Sequence, residues 1–307
     1  MKPLYVLTAI FNPRRFKSRI ALYKNFAAWV ASCGVQLLTV ETAFGERPFE
    51  VTSPDNPWNL QLRTSSDIWH KEDALNLGVQ KLCQLVPDWG YFAYLDADVK
   101  ILRDDWATET VHLLQHYAII QMFGEVETLD PSGHVLLRGR SICREWHDKG
   151  WLPGSHHPYP CGGWPGLGWG YRRREFEEIG GLIDICVSSS GDLHMAACYL
   201  GNPMWGMPPG ASAGFKRYIQ AYGDLCALYV KENVSYLPGL LVHYWHGKGK
   251  DRGHASRKAA IEKFAYDPYT DIMRDAQGLQ KWRGNKIGLE RAIRRSLEAR
   301  NEDSIDV

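Results

Sequence analysis

The chain has 307 residues, with 36 Lys and Arg against 35 Asp and Glu, 45% hydrophobic and 23% charged residues. That length and balance suit one large globular domain or two small ones with a substantial core. They argue against disorder over most of the length. No run approaches 18 apolar residues, so no membrane-spanning helix is expected. The seven cysteines are dispersed and form no CxxC pair, which predicts free thiols in a reducing compartment and no zinc site. The segment from Met1 to Phe11 has no cleavage-site pattern and reads as a first strand, so the expected location is the cytoplasm. The Asn233-Val234-Ser235 sequon has meaning only in a secreted chain. The 12 Trp residues serve cores, and they also stack on sugars and bases.

In chain order, Leu4–Phe11 is an apolar run stopped by Asn12-Pro13, as in a buried parallel strand. Arg15–Ala31 repeats apolar residues at helical spacing and stops at Cys33-Gly34, and Val35–Thr42 is a second strand. Residues 44–62 are rich in Pro, Asn and Gly and read as loop. Lys71–Leu85 is a helix, and Tyr91–Leu95 is a third strand running straight into Asp96. Ala118–Phe123 is another strand. Residues 134–166, rich in Gly, Pro, His and Trp, read as a long functional loop. Then follow a short strand at Gly168–Tyr171, a helix at Arg174–Ile179 closed by two glycines, a helix at Asp192–Leu200 and a last strand at Leu240–Trp245. The rest is expected to be mostly helical after Thr270. Strands alternating with helices predict an α/β fold: a Rossmann-like, mixed, mostly parallel sheet flanked by helices.

Charge is uneven along the chain. From Trp245 to Arg300 there are 14 Lys and Arg against 7 Asp and Glu. Such a run is most simply a solvated helix face, and it also suits a phosphate-bearing partner.

Three motifs carry chemistry. Asp96-Ala97-Asp98 follows a strand, and ligands gather at the carboxyl ends of strands in open α/β sheets. Two carboxylates there can hold a hard divalent cation that neutralises a nucleoside diphosphate. His243-Tyr244-Trp245-His246-Gly247 ends the last strand and offers nitrogen ligands. Lys248, Lys250 and Arg252 follow it and suit diphosphate oxygens. Asp192, in Gly191-Asp192-Leu193-His194, opens a helix. It reads equally as an N-cap or as a general base that takes a proton from an acceptor hydroxyl.

The order of these motifs — FNP, WHKEDALNLGVQKL, YLDADV, RRREFEEIGGL, GDLHM, HYWHG — resembles the GT-A glycosyltransferases over roughly residues 4–285. The resemblance is to galactosyltransferases of the β-1,4 type and to glycosyltransferase-like proteins of bacteria and phages. It implies a GT-A domain over 1–265, with a nucleotide-binding half (1–100) and an acceptor and catalytic half (101–265). A basic helical extension (266–307) would follow.

It also implies roles. The Trp69–Gly78 stretch is similar to the family's FNRAKLLNVG beside the uridine, which puts Lys71 and Asn76 on the donor. Phe11, Asn12, Arg15 and Glu41 would meet the nucleotide, Asp96 its ribose or a metal-bound water, and Lys248 its phosphates. Asp98, His246 and His243, the last where the family uses Met, would hold Mn²⁺ or Mg²⁺. Asp192 matches the catalytic Asp. The family has Glu before that Asp, where this chain has Gly191. Its Gly-Trp-Gly acceptor motif does not immediately precede Asp192; Trp151, Trp164 and Trp169 stand elsewhere.

The implied activity is metal-dependent transfer of a hexose from a nucleotide sugar, UDP-linked in the simplest case, with inversion. The loop 134–166 would close over the donor. The acceptor would be a saccharide or a hydroxymethylated pyrimidine in phage DNA. The latter would meet the basic region at 248–300, including Lys281, Arg283, Lys286, Arg291, Arg294 and Arg295. Two alternatives stay open: a retaining transferase, and a non-catalytic nucleotide- or nucleic-acid-binding protein on the same scaffold.

Overall fold

The structure, a computed structural model, describes residues 2–150 and 163–306. Strand β1 (Leu4–Phe11) is buried on both faces and lies in the interior of a seven-stranded sheet. In chain order the other strands of this sheet are β2 (Gln36–Phe44), β3 (Asn59–Thr64), β4 (Tyr91–Leu95), β6 (Ile119–Gln121), β9 (Gly168–Arg172) and β10 (Val234–Tyr236). Their spatial order is β10-β6-β9-β4-β1-β2-β3. Only β9 pairs antiparallel, with β4 on one side and β6 on the other. The predicted mixed, mostly parallel α/β class is the one observed.

Alternation along the strands feeds two cores. Leu7, Leu38, Val40, Phe92 and Tyr94 face helix α2 (Glu72–Leu85), whose Ala74, Leu75, Val79 and Leu82 pack onto them. Val6, Ala93 and Leu95 face the other way. There they meet Phe26 and Val30 of helix α1 (Lys17–Ser32) and Trp106, Val111 and Leu114 of helix α3 (Trp106–His116). Burying each large apolar side chain contributes about 1.5–3 kcal/mol, so the two-sided sheet is the main stabilising element.

A second sheet, of order β5-β11-β7-β8, is smaller. Its strands are β5 (Val99–Ile101), β7 (Glu125–Leu129), β8 (Val135–Arg140) and β11 (Leu240–His243). The step from β4 to β5 is the Asp96–Asp98 turn, so this motif joins the two sheets.

Several segments differ from expectation. The stretch read as loop at 44–62 runs into β3, an edge strand in which Leu60 and Leu62 alternate with polar residues. Within the loop expected at 134–166, β8 and helix α4 (Ile142–Lys149) form regular structure. β8 is almost wholly exposed, and its Val135-Leu136-Leu137 run shows no alternation of apolar and polar residues. α4 starts where the Ser141 side chain accepts the Arg144 amide at 3.1 Å. The remaining part at 151–162, with Trp151 and Cys161, lies outside the described residues. Short helix α5 (Arg173–Glu178) and buried helix α6 (Gly191–Tyr199) fall where expected, whereas helix α7 (Ala213–Tyr229) bears no sequence motif.

After α8 (His254–Lys263) and the single turn α9 (Pro268–Asp271), the C-terminal stretch contains a hairpin of β12 (Ile272–Arg274) and β13 (Gln280–Trp282) as well as helix α10 (Ile287–Glu298). Tyr266, Ile272, Leu279, Leu289 and Ile293 join the core on the α2 side, so this stretch is integral to the folded unit. Among the described residues no helix is long and apolar enough to cross a membrane.

The burial of α6 has a consequence for acid stability. His194 is buried, its Nδ1 has no hydrogen-bond partner, and its ring stands edge-on to Phe215 at 5.4 Å. Burial, with a smaller effect from Lys258, pulls its imidazole down to about 4. The folded chain therefore keeps His194 neutral where the unfolded chain protonates it. Full stability is present above the unfolded value near 6.5 and falls as pH drops toward 4, by about 3 kcal/mol in total. His194→Leu is expected to remove this component, measured as the difference in urea midpoint between pH 7 and pH 4.5. An unchanged difference would refute it.

Candidate active site

The carboxyl ends of β1 and β4, the Asp96–Asp98 turn, the end of β11 and the start of α6 converge on one cavity of about 500 Å³, a volume suited to a nucleotide-sized ligand. Antiparallel pairing explains one wall. His243 pairs with Val99 across β11 and β5, and the Tyr244 amide donates to the Asp98 carbonyl at 2.9 Å. The strand end that carries the histidines is thereby fixed against Asp98.

The His243 and His246 Nε2 atoms lie 3.0 Å apart. Asp98 Oδ2 lies 3.4 Å from His246 Nε2, and Asp98 Oδ1 lies 3.7 Å from His243 Nε2. Among the described residues this is the group of three side chains whose donor atoms converge closely enough to hold an ion. Two ligands of one cation, each about 2.1–2.2 Å from it, lie about 3–4 Å apart, so these three side chains are close enough together to share an ion. Asp98 Oδ1 is buried and accepts no hydrogen bond, as suits an oxygen meant for a cation. Burial would push the Asp98 carboxyl up, but His246 and His243 hold it far below the ordinary range. The residues fit a divalent cation.

A charge cluster also lines the cavity. Lys71 Nζ pairs with Asp96 Oδ1 at 2.6 Å. Burial pulls the Lys71 ammonium down, but Asp96, Asp192 and Glu72 more than offset it, and it stays charged. Burial likewise raises the Asp192 carboxyl, against the pull of Lys71. Asp192 Oδ1 accepts the Leu193 amide at 2.9 Å, and Oδ2 faces Gly166, where a Cβ would collide with it.

The turn ahead of Asp192 is strained. Ser189 and Ser190 both have left-handed backbones, with φ of 75° and 82°. Buried Arg257 of α8 holds this turn by donating to the Ser188 carbonyl at 2.8 Å and to Ser189 Oγ at 2.6 Å. Arg300, from the segment after α10, also lines the cavity. Buried Glu302 accepts from Arg19 Nη2 at 2.7 Å and from Arg300 Nε at 2.6 Å. Burial alone would raise the Glu302 carboxyl, and the two guanidiniums hold it at about 2. Arg300 lies 4.7 Å from the Trp69 ring.

Of the residues singled out from sequence, Phe11, Lys71, Asp96, Asp98, Asp192, His243 and His246 line the cavity. Five do not. Glu41 accepts the backbone amides of Glu50, Val51 and Thr52, and is spent on closing that loop. Asn12 bonds both the amide and the carbonyl of Phe16, and exposed Arg15 stands 3.9 Å from Glu50. These three residues border a separate small cleft. The Asn76 amide is spent on Leu182 and Asp184, which ties α2 to the segment after α5. Lys248 lies beside the cavity without lining it.

The cavity also contains Arg19, Trp69, His70, Glu72, Trp164, Arg257 and Arg300, none assigned a role from sequence. Trp69, His70 and Glu72 lie inside the WHKEDALNLG motif. Arg257 and Arg300 lie inside the basic run, where nothing local marks them out.

Comparison with known proteins gives the following. No family model and no curated protein matches the chain by sequence. In structure it is similar to the catalytic domain of Drosophila β1,4-galactosyltransferase 7, solved with xylobiose, at 14% identity and a TM-score of 0.32 over 64% of this chain and 60% of that one. It is similar to a protein from Desulfovibrio desulfuricans assigned as a nucleotide-diphospho-sugar transferase, at 11% identity and a TM-score of 0.35 over the whole of both chains. It is also similar to a glycosyltransferase involved in glycosylating the major capsid of PBCV-1, at 9% identity and a TM-score of 0.33, over 78% of this chain and 93% of that one. The chain spans about 60% of the length of the first of these structures. These are distant likenesses of fold.

Proposed function

We propose that the chain is a metal-dependent glycosyltransferase that moves a hexose from a nucleotide sugar, most simply a UDP-hexose, to an acceptor hydroxyl with inversion. The observation that carries this reading is one cavity lined by both a His₂Asp donor face and the Asp192 carboxylate. Asp98, His243 and His246 would hold Mn²⁺ or Mg²⁺. A cation so held supplies charge neutralisation to the departing nucleoside diphosphate. Lys71, Arg19 and Arg300 add fixed positive charge toward the phosphates. Asp96 keeps Lys71 oriented. Asp192, its carboxyl raised by burial, accepts the proton of the acceptor hydroxyl as that oxygen bonds to the anomeric carbon and the bond to the diphosphate breaks. Arg257 fixes the turn that aims Asp192.

The saccharide acceptor is the better supported of the two considered. The DNA alternative draws only on the basic run, and part of that charge is already paired. Arg294 pairs with Asp67 at 2.6 Å, Lys286 with Asp271 at 2.7 Å and Arg274 with Asp184 at 2.6 Å.

The test is nucleoside diphosphate release from a panel of UDP- and GDP-sugars, with Mn²⁺ or with EDTA, plus saccharide acceptors or hydroxymethylated duplex DNA. EDTA-sensitive release from one donor, stimulated by a saccharide, is the expected result. Stimulation by the DNA alone would replace the acceptor. No release from any donor would favour a non-catalytic binder.

A further inference from the structure

Gly191 stands where the resembling family has a glutamate, yet the space beside it is filled. A Cβ built on Gly191 would lie 2.8 Å from Cδ and Oε1 of Glu72. The backbone at Gly191 is not left-handed, so the Glu72 carboxyl is what keeps a side chain out. Glu72 is the first residue of α2, is buried, and lines the same cavity as Asp192. A carboxyl group thus occupies the position next to Asp192, delivered from a different element.

We propose that Glu72 is the acceptor-binding partner of Asp192, and that the two carboxyl groups together receive an acceptor with neighbouring hydroxyls, a saccharide. This rests on the glycosyltransferase reading above. The charges around Glu72 fit the role. Burial raises its carboxyl, Lys71 opposes that, and Asp192 and Asp73 add to it, leaving it at about 8. Near neutral pH Glu72 therefore keeps its proton and can donate to one acceptor oxygen, beside the Asp192 carboxyl that the reading above makes the acceptor of the reacting hydroxyl's proton. An acceptor with a single hydroxyl would leave the buried Glu72 carboxyl unmatched, which costs binding energy. The side-chain swap is a sharper claim than loss of function, because the steric relation is reciprocal. Removing the Glu72 carboxyl opens the very space that a Gly191 side chain needs.

The experiment uses the full chain with the donor and metal that support release, and a panel of simple hexosides and pentosides as acceptors. Glu72→Ala is expected to raise acceptor KM about tenfold or more, the loss of one buried hydrogen bond to a polar partner, with donor KM little moved. The double variant Glu72→Ala/Gly191→Glu is expected to recover acceptor KM to within about threefold of the parent. Gly191→Ala in the parent background displaces the carboxyl, and should raise acceptor KM while leaving donor KM in place.

An unchanged acceptor KM in Glu72→Ala or in Gly191→Ala would overturn the proposal. So would failure of the double variant to recover it. If no donor is turned over at all, the glycosyltransferase reading fails separately. Saccharide binding by NMR titration still tests Glu72 in that case: weaker binding by Glu72→Ala than by the parent supports the proposal, and equal binding or none by either overturns it.

Discussion

Asp98→Ala is expected to reduce metal-dependent release of nucleoside diphosphate by about 10³-fold or more, since a coordinated cation contributes several kcal/mol to a charged transition state. Asp98 is the single oxygen in a face otherwise built from His243 and His246. Losing it removes the charge that draws a divalent ion to two neutral imidazoles. His246→Ala is expected to cost a similar factor. The double variant should cost little more than either single one, because residues acting on one ion are not additive. Manganese titration of the release rate checks this, alongside the thermal midpoint with and without Mn²⁺, since an ion bound to the folded state raises that midpoint. EDTA-sensitive turnover at the parent rate in either single variant would remove these residues from the metal site.

Asp192→Asn is the second large effect. The amide keeps the shape of the carboxylate, and its carbonyl can still accept the Leu193 amide that Oδ1 accepts now, so the start of α6 should survive. What goes is the proton acceptor. A positioned general base contributes about 10²–10⁴-fold, and transfer to acceptor is expected to fall by that factor. Donor KM and the manganese dependence should stay near parental values, because Asp192 is not part of the metal face. The informative comparison is kcat for transfer against donor KM. Transfer within twofold of the parent would mean that Asp192 is not the proton acceptor.

How much of this was legible beforehand depended on distance along the chain. Asp96 and Asp98 announce themselves because an apolar strand runs straight into them. His243 and His246 do the same at the end of β11. The α/β class follows from runs and periods that need only local reading. The resemblance puts Glu41 and Asn76 on the donor, whereas Glu41 bonds the loop at 50–52 and Asn76 bonds Leu182 and Asp184. A motif says which residue types are present and leaves open which partner captures each side chain. Strand β3 alternates, but it is short and follows directly on a Pro- and Asn-rich stretch, and exposed strand β8 opens on Val135-Leu136-Leu137 with no alternation.

Residue types, strand ends and the order of motifs were determined by the sequence itself, because they depend on hydrophobic period and on chemistry a few residues wide. The tertiary structure decided which charges meet. Glu72 lies beside Gly191 although more than a hundred positions separate them, Arg257 braces the turn ahead of Asp192, and Glu302 draws Arg19 and Arg300 to one side of the cavity. Such pairings arise when α2, α6, α8 and the C-terminal residues pack around one sheet, and no local pattern encodes them.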